Sequence, residues 1–224
     1  MQTQDAPAEI IFKLWPWLEA NQKRLAIIAA GIALAVGIYF FLGERQAQRE
    51  VEAGQALTQL LVTPPANVGA VPLANAFAKL AEKYSGTAAA ERAGLQAATT
   101  LYAAGSYEQA QAQFEKLVAT HAAGALAATA NLGLAASFEA QGKLDQAAQS
   151  YRKVIAGFAD SSVAVMAKFS LARVLAAQGK LSDAQTYYSE VARAPLAGSL
   201  GSEAAMQASE IKSKLAAATP PKAK

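Results

Sequence analysis

Imidazoles, thiolates and paired carboxylates carry much of enzyme chemistry, and this chain is nearly bare of them. Its 224 residues include no Cys and a single His, His121. A cysteine nucleophile, a disulfide framework and a Cys/His zinc site are excluded. A lone imidazole needs partners to act as a ligand or a general base, and no acidic cluster has ligand spacing around His121. The acids Glu108, Glu115, Asp145, Asp183 and Glu190 are scattered beside Lys116, Lys153 and Lys180, which predicts a solvated face with i,i+4 pairs. No Gly-rich phosphate loop occurs. Lys and Arg number 20 against 17 acids, a net charge of +3, and stand singly or in pairs such as Arg152-Lys153, with no stripe for nucleic acid. The residues predict no enzyme: no catalytic set, no metal, no cofactor, no small-molecule substrate and no nucleic acid.

The composition favours helix instead. Hydrophobic residues are 53% and charged ones 17%, and Ala, at 57 residues, loses no side-chain entropy in a helix. The segment Leu25 to Leu42, LAIIAAGIALAVGIYFFL, runs for 18 residues without a charge. At about 1.5 Å per residue it spans roughly 27 Å, close to the roughly 30 Å hydrocarbon core. Lys23 and Arg24 close one end, Glu44 and Arg45 the other, and Tyr39, Phe40 and Phe41 suit an interface. The stretch is long for a cleaved signal, and no small-x-small site follows it, so an uncleaved anchor is expected. Lys13, Lys23 and Arg24 precede the span and Arg45 and Arg49 follow it, which orients the N-terminus inward. Residues 1–24 form a tail in which Ile11, Leu14, Trp15 and Leu18 fall at helical spacing on an interfacial segment, with Pro16 expected to kink or restart the helix.

Downstream the chain repeats. Gly105, Gly142 and Gly179 are 37 residues apart, and the offset also aligns Ala110, Ala147 and Ala184; Phe114, Tyr151 and Tyr188; and Leu117, Val154 and Val191. Each unit reads as a first helix ending at the Gly, which can adopt the left-handed conformation, and a second helix with a small Ala and an aromatic one turn later. Neither helix can bury its apolar face alone, so the units must stack. Units are expected at about 44–84, 88–121, 125–158 and 162–194, with a cap helix at 201–215 and a disordered tail at 218–224, the whole repeat domain covering 43–217. Ser85-Gly86-Thr87 and Asp160-Ser161-Ser162 can cap the helices that follow. The loop TPPANVGAVP replaces the Gly turn in the first unit. Tyr84 and Phe158 flank His121 at the same offset, so His121 reads as a packed ring at a repeat junction.

The pattern Leu134, Ala135, Phe138, Gly142, Ala147, Tyr151 resembles the tetratricopeptide repeat. That family has a period of 34, and the 37 here places three extra residues between units. The Trp expected early in each first helix is absent: Gly94, Asn131 and Lys168 stand there. The resemblance implies an all-α, right-handed helical-repeat solenoid behind a single N-terminal transmembrane helix. The layout is also similar to the YfgM-like family of ancillary SecYEG translocon subunits, whose periplasmic domain contacts chaperones and emerging secreted chains. The repeat style resembles a periplasmic cell-division coordinator as well.

In tetratricopeptide arrays the first helices line a concave face. Carrying those positions over gives Arg92, Leu95, Thr99 and Tyr102; then Thr129, Leu132, Ala136 and Glu139; then Met166, Phe169, Arg173 and Ala176. Leu95, Leu132, Met166 and Phe169 are candidate anchors for an amphipathic helix or an extended apolar segment. The alternative is that Leu95, Leu132 and Phe169 pack between helices. The Lys/Asn set that clamps a C-terminal carboxylate in some members is missing. These resemblances imply a non-enzymatic, membrane-tethered protein-interaction scaffold of the bacterial inner membrane, with its N-terminus cytoplasmic and its array periplasmic. It would touch lipid through 25–42 and meet translocon subunits, periplasmic chaperones or envelope proteins. An envelope-assembly or cell-division adaptor and a holdase-type chaperone are the alternatives.

Overall fold

The structure, a computed structural model, describes residues 6–64, 69–120 and 125–218. Within them lie nine helices and no strand: α1 (Ala6–Val62), α2 (Ala70–Lys83), α3 (Ala88–Ala103), α4 (Tyr107–Thr120), α5 (Ala125–Ala140), α6 (Leu144–Gly157), α7 (Ser162–Ala177), α8 (Leu181–Arg193) and α9 (Ser199–Ala218). His121, the centre of the TPPANVGAVP loop and the tail beyond Ala218 lie outside the described residues. The chain divides into two compact units between Glu52 and Ala53.

In the first unit, the helical run of α1 passes through Pro16 and through Leu25–Leu42 without a break. The side chains of Ile11, Leu14, Trp15 and Leu18 lie outside the described residues. Ile27, Ile32, Leu34, Phe40 and Leu42 are all exposed, and the most apolar window is wholly unburied. Among the described residues, α1 is the one helix long and apolar enough to cross a membrane. At the end of this window Tyr39 and Phe40 meet edge to face, and the Arg45 guanidinium lies 4.9 Å from the centre of the Phe41 ring.

The second unit is a stack of helix pairs. Three of its turns share one chemistry. Gly105, Gly142 and Gly179 have φ of 75°, 73° and 75°, a region in which a Cβ is strained. At each, two amides close the helix end. Ser106 N–H donates to the Leu101 carbonyl and Gly105 N–H to Tyr102; Lys143 and Gly142 do the same to Phe138 and Glu139, and Lys180 and Gly179 to Leu175 and Ala176. This double bond pattern satisfies carbonyls that the helix end would leave open. Between pairs, Thr87 and Ser161 cap α3 and α7. Their side-chain oxygens accept from Ala90 N–H and Ala164 N–H, while their hydroxyls donate back to the Tyr84 and Phe158 carbonyls.

Ala110, Ala147 and Ala184 are fully buried, so the two helices of a pair lie close together. The rings of Phe77, Phe114, Tyr151 and Tyr188 are buried behind them, and each such side chain contributes about 2–3 kcal/mol by leaving water. Each ring needs room. A Cβ built on Gly133 of α5 would stand 2.3 Å from the tip of the Phe114 ring, so this glycine is a packing site rather than a turn. The apolar core runs on as overlapping clusters from the end of α1 to α9 instead of closing into one centre, as stacked repeats require.

The acids of the second helices meet the i,i+4 expectation only in part: Glu115 accepts from Gln111 on its own helix, while others pair across helices. Lys116 reaches Glu82 on α2, Glu190 takes Lys168 from α7, and Asp145 accepts from Gln178 just past α7. Neighbouring helices bring these partners closer than the same helix does. Of the ion pairs seen, Glu210–Lys214 on α9 has the i,i+4 spacing.

Gly133→Val is expected to destabilise the array by about 2 kcal/mol, since overpacking outweighs the gain in helix propensity over Gly. Thermal unfolding followed by circular dichroism measures it. Adding Phe114→Leu should recover part of the loss, and equal losses with and without it would refute the steric cause.

Candidate protein-binding face

The first helices α3, α5 and α7 lie side by side, each backed by its second helix. The residues expected on their shared face divide by burial. Arg92 and Thr99 on α3, and Met166 and Arg173 on α7, are exposed. Leu95, Tyr102, Thr129, Leu132, Ala136, Glu139 and Ala176 are half-buried. Phe169 is buried, with its ring edge-on to Tyr188 at 5.2 Å. It is therefore a core residue and not a groove anchor: α8 covers it. Leu132 and Leu95 pack against core clusters in the same way, each with one flank open. Met166, half exposed at 50%, is the candidate anchor that remains open to a partner.

Three of the expected residues are brought together by the stacking. Glu139 sits in the last turn of α5, its backbone carbonyl held by the Gly142 turn. Its carboxylate accepts from Arg173 Nε at 2.7 Å and Nη2 at 3.0 Å, and from the Tyr151 hydroxyl at 2.7 Å. Its side chain is 17% exposed, whereas that of Arg173 is 57% exposed. A half-sunken carboxylate is thus paired and hydrogen-bonded on both oxygens, the condition under which burying it is tolerable. Tyr102 stands close by, its ring edge-on to Tyr107 at 5.3 Å.

The surroundings shift the titrating groups consistently. Burial, then the hydrogen bond to Glu139 and its charge, push the Tyr151 phenol far above its usual value. Burial, with Glu139 adding to it, also raises Tyr102. Tyr188 is raised by burial, against an opposing pull from Arg173. The hydrogen bonds that Arg173 donates to Glu139 raise its guanidinium above the usual value. The arrangement holds charge in place and offers no nucleophile or poised base. Among the described residues no group of three or more His, Asp or Glu side chains converges to hold a metal.

Tyr151 and Tyr107 belong to this cluster and were not among the expected face residues. Gln141 was not among them either: its amide bridges Gln111, the Ser137 carbonyl and the Tyr107 carbonyl. The 37-residue register aligns Glu139 with Ala176 and Arg173 with Ala136, so it does not reveal the pair. The partners are 34 residues apart, as are Lys116 and Glu82. That is the repeat less about one helical turn, and complementary residues at this spacing are the signal that finds them.

The chain belongs to the tetratricopeptide repeat-like domain family, whose pattern matches residues 15–150 and 121–201. The first match begins upstream of the apolar segment. No curated relative matches the chain at a significant level. Among solved structures it is similar to a kinesin light chain of Podospora anserina with nearly identical TPR-like repeats, at 15% identity over 76% of this chain and 97% of that one, with a TM-score of 0.50. It is also similar to the type III secretion translocator chaperone SycD of Yersinia enterocolitica, at 24% identity over 55% of this chain and 92% of that one, with a TM-score of 0.49. The likeness to the kinesin light chain concerns the fold alone; the tetratricopeptide repeat-like fold is one typical of protein-interaction scaffolds.

Two outcomes are expected of the polar cluster. Tyr151→Phe should cost about 2 kcal/mol, the loss of a hydrogen bond to a charged acceptor, and Glu139→Ala about 3 kcal/mol. A double-mutant cycle between the two should show coupling above about 0.5 kcal/mol; strict additivity would mean the bond does nothing for stability. The second outcome is pH-dependent. Tyr102, Tyr151 and Tyr188 keep their protons in the folded state at a pH where the unfolded chain, at about 10, has released them. Stability is therefore complete below about pH 10 and falls as pH rises above it. Unfolding midpoints at pH 8 to 11 should show the decline, with a shallower slope in Tyr151→Phe; an unchanged slope would exclude Tyr151 as its source.

Proposed function

We propose that the chain is a membrane-tethered scaffold: residues 25–42 span the bacterial inner membrane and the helical array holds other proteins on its outer side. The observation that carries this reading is the unburied, uncharged stretch of α1, whose large apolar side chains have no protein partner to leave water for. Lys23 and Arg24 before it, and Tyr39, Phe40 and Phe41 at its far end with Arg45 just beyond, fit the two interfaces. Partners would lie on the first-helix face, across Arg92, Thr99 and Met166 and beside the Glu139–Arg173 pair. Tethering raises the local concentration of that face beside anything else in the same membrane. The likeness of layout to translocon-associated proteins makes the Sec machinery, with periplasmic chaperones or envelope proteins, the first partners to try.

The test is topological. The chain has no Cys, so a cysteine at Ser202, exposed on α9, is a clean reporter. A thiol reagent that crosses the outer membrane but not the inner one is expected to label it in intact cells. Labelling only after lysis would place the array in the cytosol and remove the periplasmic partners. Crosslinking from position 166 then separates the partner classes. One stoichiometric product supports an adaptor, and a smear of unrelated apolar clients supports a holdase.

A further inference from the structure

One row of side chains crosses the four helices that stand in first-helix register. Arg92, Thr129, Met166 and Glu203 are 37 residues apart, at one register position on α3, α5, α7 and α9. Arg92, Met166 and Glu203 are exposed, and Thr129 is half-buried. The row therefore runs from a cation, through a hydroxyl and a thioether, to an anion. Three residues further along each helix, Leu95, Leu132 and Met206 make an apolar strip beside it, interrupted on α7 where Phe169 is covered. Other charges at the face positions are already matched: Glu139 takes Arg173, and Glu210 takes Lys214. Neither Arg92 nor Glu203 has an ion pair or a side-chain hydrogen bond among the described residues. Glu203 borders the same seam as the polar cluster, since its charge and that of Glu139 both act on the Tyr188 phenol. Two opposite charges thus stand at the two ends of one track, and neither is used in an ion pair within the array.

We propose that this row seats an extended segment of a partner protein that is acidic at one end, apolar in its middle and basic at the other. The inference rests on the reading of the first-helix face as the partner surface, and adds the chemistry of the occupant. Charge complementarity defines the ends: a carboxylate meets Arg92, and a Lys or Arg meets Glu203. The apolar middle covers Met166 and the open flanks of Leu95 and Leu132. Helix spacing defines the length. Three steps between packed helices, of roughly 9 Å each, make a track that an extended chain rising about 3.3 Å per residue crosses in about eight residues. A segment of uniform charge meets repulsion at one end, so the row discriminates against wholly acidic and wholly basic tails.

The probe is a phage-displayed library of random peptides of about twelve residues, long enough to cross the track when extended, selected against the full chain in detergent micelles. The wild type is expected to enrich peptides with an acid and a base at opposite ends and apolar residues between them. Arg92→Glu should turn the enriched peptides basic at both ends, and Glu203→Arg should turn them acidic at both ends. One wild-type peptide, labelled with fluorescein and titrated by anisotropy, should bind Arg92→Glu at least about tenfold more weakly and should lose affinity as salt rises. Lys153→Glu, on the exposed surface of α6, should leave it unchanged. Should Arg92→Glu disturb the circular dichroism spectrum, Arg92→Gln carries the same test, because it removes the demand for an acid. Two failures are distinguishable. If Met166→Glu leaves the selected peptides bound, they sit elsewhere, and the first-helix face itself is not the partner surface. If Met166→Glu abolishes binding while all three baits enrich the same end charges, the face stands and the charge order is wrong. Absence of any enrichment by the wild type also overturns the proposal.

Discussion

Two junctions in this array depend on a ring that must find room. At Phe114 and Tyr151 of the second helices, the residue nineteen positions further on, in the first helix of the next pair, yields space for the ring. Phe114 lies on Gly133, where even a methyl group would collide with it. Tyr151 meets Ser170 at the corresponding place, small enough to admit the ring and polar enough to meet its hydroxyl. This ring-into-gap contact sets the axial offset between pairs, and the other contacts between pairs inherit that offset. Close packing leaves little slack: the interior density of a protein allows no compensating void if the offset slips by a turn.

The polar cluster is one consequence. With the offset set, the end of α5 lies beside the middle of α7, and Glu139 meets Arg173. The Tyr151 ring, already buried for its apolar surface, has its hydroxyl at the same carboxylate. A satisfied buried network of this kind rigidifies the first-helix face where it stands and opposes alternative registers, since any slip would strand a half-buried charge. The rest of the face, toward Arg92, Thr99 and Met166, is exposed and lies outside this network. The face thus combines a rigid end with an open one, which suits a surface that must hold its shape while another protein docks on it.

The array's first pair differs from the others for a related reason. Stacking covers one side of every pair with its predecessor, and the first pair has none. Lys79 occupies the place where Lys116 finds Glu82, and its charge remains unspent. Repeat proteins need their terminal faces made soluble. At the far end α9 does this with serines, Glu203, Glu210 and two lysines on exposed positions. The near end is more apolar, with Leu61 and Val62 exposed beside two cations.

Much of this was legible in the residues. The glycine spacing marked the turns, because only a residue without Cβ sits easily at positive φ. Thr87 and Ser161 announced the helix starts they cap, and buried alanines and rings recurred in register. All of these are local matters, decided by the conformational preferences of a few neighbouring residues. Where Phe169 would lie was not decided locally: its type suits a groove or a core equally, and only the arrival of α8 buries it. Glu139 and Arg173 were both visible as face residues, yet nothing in the repeat register joined them. Sequence periodicity determined the helices, their turns and the need to stack. The tertiary structure alone decided which residues meet across the stack, because that depends on an axial shift of about one turn between neighbouring pairs, set by side-chain volumes from distant parts of the chain.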